Sequence, residues 1–154
     1  MRKDQLLPVT DRDAAFSLFD EYTQSWLVPL ALDGWYGELQ EEHDTADDAD
    51  WASCSADPKY KRATLRMNPR RFAEQGFTAL QIESVAVHEL THCLLWLGYN
   101  EVANPAIPED VRSYFEEVAA DQFAHALMMA KYHGAEPVKR LWQGYKVIRP
   151  ARSP

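Results

Sequence analysis

The chain lacks the features of several protein classes. It has only two cysteines, Cys54 and Cys93, too few for a disulfide scaffold, so we expect two free thiols. No apolar run approaches the roughly 18–20 residues that a membrane-spanning helix needs. The opening segment, MRKDQLLPVT, has positive charge but no apolar stretch, so it does not resemble a secretory signal. These absences favour a soluble, cytoplasmic protein without membrane contacts.

Positive charge is also scarce, because 16 Lys and Arg residues face 24 Asp and Glu residues, for a net charge of −8. An acidic protein is repelled by phosphate backbones, so nucleic acid is not an expected partner. The 154 residues, 46% of them apolar, contain no internal repeat. We therefore predict one globular domain over residues 1–154, with a flexible tail from about residue 148.

Apolar spacing predicts an α+β fold that starts with a helix and continues with short strands. Asp11 is the expected N-cap of the first helix, which ends before Pro29. Alternation of polar and apolar residues predicts three strands, over residues 35–40, 51–56 and 60–67.

The rest of the chain is predicted to be helical. Thr78 and Gln81 form a capping-box pattern at the start of an apolar helix, which we expect to stop at Gly98. A second long helix is predicted over residues 108–132 and a short one over residues 136–147.

The apolar helix contains an H-E-x-x-H motif, formed by His88, Glu89 and His92. Positions four apart lie one above the other, so both imidazoles can face one metal ion. Glu89 lies about 100° around the helix, where it can take a proton from an activated water. Burying these three groups in an apolar helix is unfavourable unless a partner such as a metal pairs them.

A catalytic zinc site needs a third protein ligand from another segment. The strongest candidate is Glu117, because Asp121 follows one turn later on the same helix face and can accept the second N–H of a ligand histidine. Glu116 remains an alternative, since adjacent helix positions differ by only about 100° in direction. Three more histidines stand elsewhere in the chain: His43, His125 and His133.

The pattern His88-Glu89-x-x-His92 followed by Glu117-x-x-x-Asp121 resembles the gluzincin branch of the zincin metallopeptidases. Within it, small cytoplasmic proteins of the ImmA/IrrE kind are the most similar. Their third-ligand segment typically reads Glu-x-x-Ala-Asn/Asp-x-Phe-Ala, and this chain has the matching residues Glu117, Ala120, Asp121, Phe123 and Ala124. The similarity covers about residues 60–130. The metzincin pattern is excluded, because Leu95 and Gly98 stand where it needs glycine and histidine.

The resemblance implies a minimal zincin fold, in which a short, mostly antiparallel three-stranded sheet packs on the motif helix. It implies one Zn²⁺ per chain, held by His88, His92 and Glu117, with Asp121 supporting a ligand histidine. Its activity would be hydrolysis of a peptide or protein substrate, with Glu89 as general base.

The resemblance further implies an edge strand that binds an extended substrate, and residues 61–67 are the expected strand. Three of its side chains would then lie near the substrate: Arg62, Thr64 and Arg66. The developing oxyanion needs a donor besides the metal. Tyr114, one turn before Glu117, is the expected donor, with Tyr99 as the alternative.

Three other functions stay open. The chain can be a zinc-binding but non-catalytic module, regulatory or for protein interaction, on the same scaffold. It can be a zincin associated with nucleic acid, as in SprT-like enzymes, although the net charge of −8 and the absence of a Cys-rich zinc ribbon oppose this. It can also be a helical interaction domain without metal. Cys93 points about 100° away from His92, so we expect a buried thiol there, as at Cys54.

Overall fold

The computed structural model describes residues 3–41, 51–57, 59–102 and 107–133. A 3₁₀ turn at Lys3–Leu6 precedes seven elements: α1 (Arg12–Leu27), β1 (Tyr36–Glu41), β2 (Ala52–Asp57), β3 (Arg62–Met67), α2 (Pro69–Glu74), α3 (Ala79–Val102) and α4 (Glu109–His133). The predicted α+β class, with a helix before the sheet and helices after it, is confirmed. The predicted helix over 136–147 and the predicted tail lie outside the described residues. Within the described part, none of the helices is both long and apolar enough to cross a membrane.

Two predicted helix starts are confirmed by their capping hydrogen bonds. The Asp11 carboxylate accepts from the Ala14 backbone N–H at 2.8 Å, which satisfies a donor of the first turn of α1. At the start of α3, the Gln81 N–H donates to Thr78 Oγ1 at 3.3 Å and the Thr78 N–H donates to Gln81 Oε1 at 2.9 Å. This reciprocal pair is a capping box.

The end of α3 differs from the prediction, because the helix continues through Gly98 to Val102. An interior glycine lowers helix stability by only about 1 kcal/mol relative to alanine, so a helix can continue through it. The next proline, the residue that would block the helix, is Pro105. The short helix α2 was not predicted; it starts with Pro69, after the N-cap Asn68.

The three strands form a mixed sheet in the order β1-β3-β2. Strand β3 pairs antiparallel with β2 and parallel with β1. The expected mostly antiparallel sheet is therefore antiparallel in one of its two strand pairings. Strand β3 is central, and the prediction that residues 61–67 form an edge strand is therefore wrong. Alternation reveals a strand and its two faces, but not which strands become its neighbours.

The core lies between one face of the sheet and the helices α1 and α3. Alternate residues of β3 are buried, and they point toward the helices: Ala63, Leu65 and Met67. The facing helix α3 buries residues around most of its circumference, including Ile82, Val87 and Leu90. The motif helix is thus held in the middle of the domain.

A buried carboxylate joins α3 to α1 and α4. Glu83 is 0% exposed and accepts a hydrogen bond from Trp26 Nε1 at 2.8 Å. It also accepts hydrogen bonds from the Lys131 ammonium and the Tyr132 hydroxyl. Burial, and then the Glu83 carboxylate, raise the pKa of Tyr132 above its ordinary value, which keeps the hydroxyl protonated as a donor. The C-terminal part of α4 is thereby fixed against α3.

Candidate metal centre

Helices α3 and α4 run antiparallel through the candidate site. Glu83, near the start of α3, contacts Lys131 near the end of α4, whereas Trp96, later in α3, contacts Glu116. The H-E-x-x-H motif lies between these two contacts on α3. It therefore faces the middle of α4, where the carboxylates predicted as ligands stand.

Three ligand atoms from the two helices converge on one point. His88 Nε2 lies 3.1 Å from His92 Nε2. The two carboxylate oxygens of Glu117 lie 3.3 Å from His88 Nε2 and 3.5 Å from His92 Nε2. Zinc–nitrogen bonds of about 2.0–2.1 Å in tetrahedral geometry separate neighbouring ligand atoms by about 3.3 Å. His88, His92 and Glu117 can therefore hold a metal ion.

The second nitrogen of each histidine faces a carboxylate. His88 Nδ1 lies 2.9 Å from Asp121 Oδ1, and His92 Nδ1 lies 3.0 Å from Glu116 Oε1. A neutral imidazole carries hydrogen on one nitrogen and a lone pair on the other. We assign the hydrogen to Nδ1 in both rings, because Nδ1 is closer to a carboxylate oxygen (2.9 Å and 3.0 Å) than Nε2 is (3.3 Å and 3.5 Å).

This assignment makes the centre of the site a group of acceptors. Both Nε2 atoms then direct lone pairs toward the carboxylate of Glu117. Acceptors this close repel one another unless a cation lies between them. The donor set, two imidazoles and a carboxylate, with a carboxylate behind each ring, fits a divalent metal ion.

Glu116 and Glu117 are adjacent in sequence, but they contact different atoms. Glu117 faces both Nε2 atoms, whereas Glu116 accepts hydrogen bonds from His92 Nδ1 and, at 2.8 Å, from Trp96 Nε1. The sequence indicates Glu116 only as an alternative ligand, and this supporting contact was not predicted. The 100° step between neighbouring helix positions could have indicated this contact, because it directs the Glu116 and Glu117 carboxylates to opposite sides of the His92 ring.

A cleft of about 460 Å³ opens beside the ligand atoms. Glu89 lines this cleft next to His88, and Glu89 is only 6% exposed. Trp51 and Ala52, at the start of the edge strand β2, form another part of the wall. The cleft thus brings together the candidate base Glu89, the candidate metal ligands and one end of strand β2.

Other predicted site residues lie in different places. Tyr114 is 66% exposed, packs its ring against Phe115 and is not among the residues lining the cleft. His125 lines the cleft from α4, two turns after Glu117. His133 is exposed at the end of α4. His43 and the side chain of Tyr99 lie outside the part of the chain that is described.

None of the described residues that line this cleft belongs to strand β3. The lining residues come from α3, α4 and the β2 end of the sheet. The side chains predicted to lie near the substrate, Arg62, Thr64 and Arg66, alternate with the buried residues of β3 and point away from the core. The strand beside the site is β2, which the prediction had not selected.

The two thiols lie close to the metal centre and contact each other. Cys54 Sγ is 3.4 Å from Cys93 Sγ. The contact with Cys93, then burial, then the charges of Glu89 and Glu116 raise the pKa of the Cys54 thiol. The prediction of free cysteines is confirmed, and Cys93 is buried as expected, whereas Cys54 is only half-buried. No local pattern in the sequence indicates that the two thiols meet.

Comparisons with family models, with curated proteins and with solved structures found no match. The functional evidence therefore lies in the site itself. Its firmest element is the group of His88, His92 and Glu117, whose ligand atoms come from two packed helices.

Proposed function

We propose that the protein is a zinc-dependent metallopeptidase of the gluzincin type. The observation that carries this proposal is the convergence of two imidazole Nε2 atoms and the Glu117 carboxylate on one point, each ring being backed by a second carboxylate. Two histidines and one carboxylate leave a fourth position of a tetrahedral zinc site for water or substrate, as catalytic sites require.

The chemistry divides between the metal and the residues around it. A bound zinc ion supplies Lewis acidity, which polarises a carbonyl group and lowers the pKa of water. Glu89, in the cleft wall next to His88, takes the proton from the attacking water and delivers it to the leaving amine. Asp121 and Glu116 hold the two imidazole rings in orientation.

The substrate of this proposal is a peptide in extended conformation. Strand β2 is at the edge of the sheet, and its first residues, with Trp51, line the cleft. A peptide that pairs with β2 would pass along the ligand group and place a carbonyl beside Glu89. Among the described lining residues, His125 replaces Tyr114 as the side chain available to donate to the oxyanion.

The deciding experiment compares the wild type with Glu89→Gln. Fluorescently labelled casein and a proteome-derived peptide library serve as probes, and zinc per chain is measured on the same samples. We expect the wild type to cleave the probes. We expect Glu89→Gln to bind zinc equally and to lose at least about 100-fold in rate, because a general base contributes 10²–10⁴-fold.

The matched control is Glu74→Gln, which removes an exposed carboxylate paired with Arg70 on α2. It should retain wild-type cleavage. Undiminished cleavage by zinc-loaded Glu89→Gln would contradict the role of Glu89. Zinc binding without cleavage by the wild type would instead favour a non-catalytic binding module on the same scaffold.

A further inference from the structure

The contact between Cys54 and Cys93 bridges two elements far apart in sequence. Cys54 is in β2 and Cys93 is in α3, and the two Sγ atoms are 3.4 Å apart. A disulfide bond is about 2.05 Å long, so the sulfurs need to approach by little more than 1 Å. Rotation of the two side chains about Cα–Cβ moves sulfur on this scale without separating β2 from α3.

A small oxidant can approach this pair. Cys54 is half-buried, and Cys93, although only 1% exposed, lines a cavity of about 640 Å³ between α1, the sheet and α3. Leu90 lines the same cavity, whereas His88 and Glu89 line the metal cleft. Cys93 is thus reached from a different face of α3 than His88 and Glu89.

We propose that Cys54 and Cys93 form a reversible oxidation site, in which a peroxide converts the two thiols into an intrachain disulfide. One sulfur attacks a peroxide oxygen, the O–O bond breaks, and a sulfenic acid and one water form. The second thiol attacks the sulfenic sulfur, the S–S bond forms, and a second water leaves. Two thiols and one hydrogen peroxide thus give one disulfide and two waters, and a small dithiol reverses the bond by exchange.

The disulfide would tie the strand beside the metal cleft to the helix that carries the motif. Ala52, at the start of β2, lines the cleft, and Cys93 directly follows His92. The bond would close a loop between positions separated by 39 in sequence, which restricts the unfolded chain. We expect the oxidised protein to melt at a temperature higher by about 5–10 °C.

The test uses the whole 154-residue chain, supplied with zinc and treated with hydrogen peroxide. Intact mass should show the loss of two hydrogen atoms, and iodoacetamide added after unfolding in urea should no longer label either cysteine without prior reduction. Dithiothreitol should restore both labelling and the original melting temperature. Cys54→Ser and Cys93→Ser, each with one thiol, should show neither the mass loss nor the higher melting temperature.

If either serine variant folds poorly, the alanine variants Cys54→Ala and Cys93→Ala replace them. The proposal is overturned if both wild-type thiols still react with iodoacetamide while glutathione in the same tube is oxidised. It is also overturned if only disulfide-linked dimers form. Thiol labelling requires no peptidase activity, so this test stands even if the proposed function fails.

Discussion

Single residues at the candidate metal centre make different contacts, which depend on their direction around a helix. Glu117 directs both carboxylate oxygens toward the two Nε2 atoms, whereas Glu116 contacts the opposite nitrogen of His92. A ligand supplies charge to the metal directly. A supporting carboxylate orients the ring and raises its basicity, and its loss weakens binding less.

This difference predicts the effects of two matched substitutions. Glu116→Gln should weaken zinc binding by about 10- to 100-fold, the usual effect of losing a supporting partner. Glu117→Gln removes an anionic ligand and should weaken binding further still. Competition with a chromophoric chelator measures both affinities. The reverse order of effects would make Glu116 the ligand, the alternative that helix geometry left open.

At the level of elements, α4 is positioned by the buried Glu83 contacts as well as by the site itself. Trp26 of α1 and Lys131 of α4 both donate to the Glu83 carboxylate, so three helices share one acceptor. The Lys131 ammonium also lies 5.2 Å from the Trp26 ring centroid, a cation–π distance. A buried carboxylate with charged and neutral donors is stable only while its partners remain.

Glu83→Gln should therefore destabilise the fold. The amide loses the charge that pairs with Lys131 and turns an acceptor position into a donor, so we expect unfolding free energy to fall by about 1–3 kcal/mol. Urea denaturation measures this. Glu74→Gln, in an exposed pair with Arg70, should change it by less than about 0.5 kcal/mol. Equal effects would show that the buried contacts do not matter to stability.

For the whole molecule, we expect metal binding and folding to be coupled, because the candidate ligands come from two helices that meet only in the folded state. Zinc at 100 times its dissociation constant should stabilise the fold by about 2.7 kcal/mol, or about 5–10 °C in melting temperature. Differential scanning fluorimetry with zinc or EDTA checks this. His88→Ala should show no shift relative to its own metal-free form. An equal shift in that variant would place the bound zinc elsewhere.

The features that could be predicted from the sequence are those that depend on residues a few positions apart. The i, i+4 spacing of His88 and His92, and of Glu117 and Asp121, follows from helix geometry, and the structure brings all four together. Local periodicity carries no information about pairing across the chain. The strand order and the approach of Cys54 to α3 depend on contacts between residues far apart in sequence, which no local pattern predicts.

The order of the strands in the sheet also determines when each strand can pair during synthesis. Because β3 lies between β1 and β2, those two strands do not pair with each other. A chain leaving the ribosome exposes its N-terminal part first. The segments of both outer strands therefore lack their strand partner until residues 62–67 emerge. Glu117, the third candidate ligand, is synthesised later still, so a nascent chain can complete its sheet before it can assemble the candidate metal site.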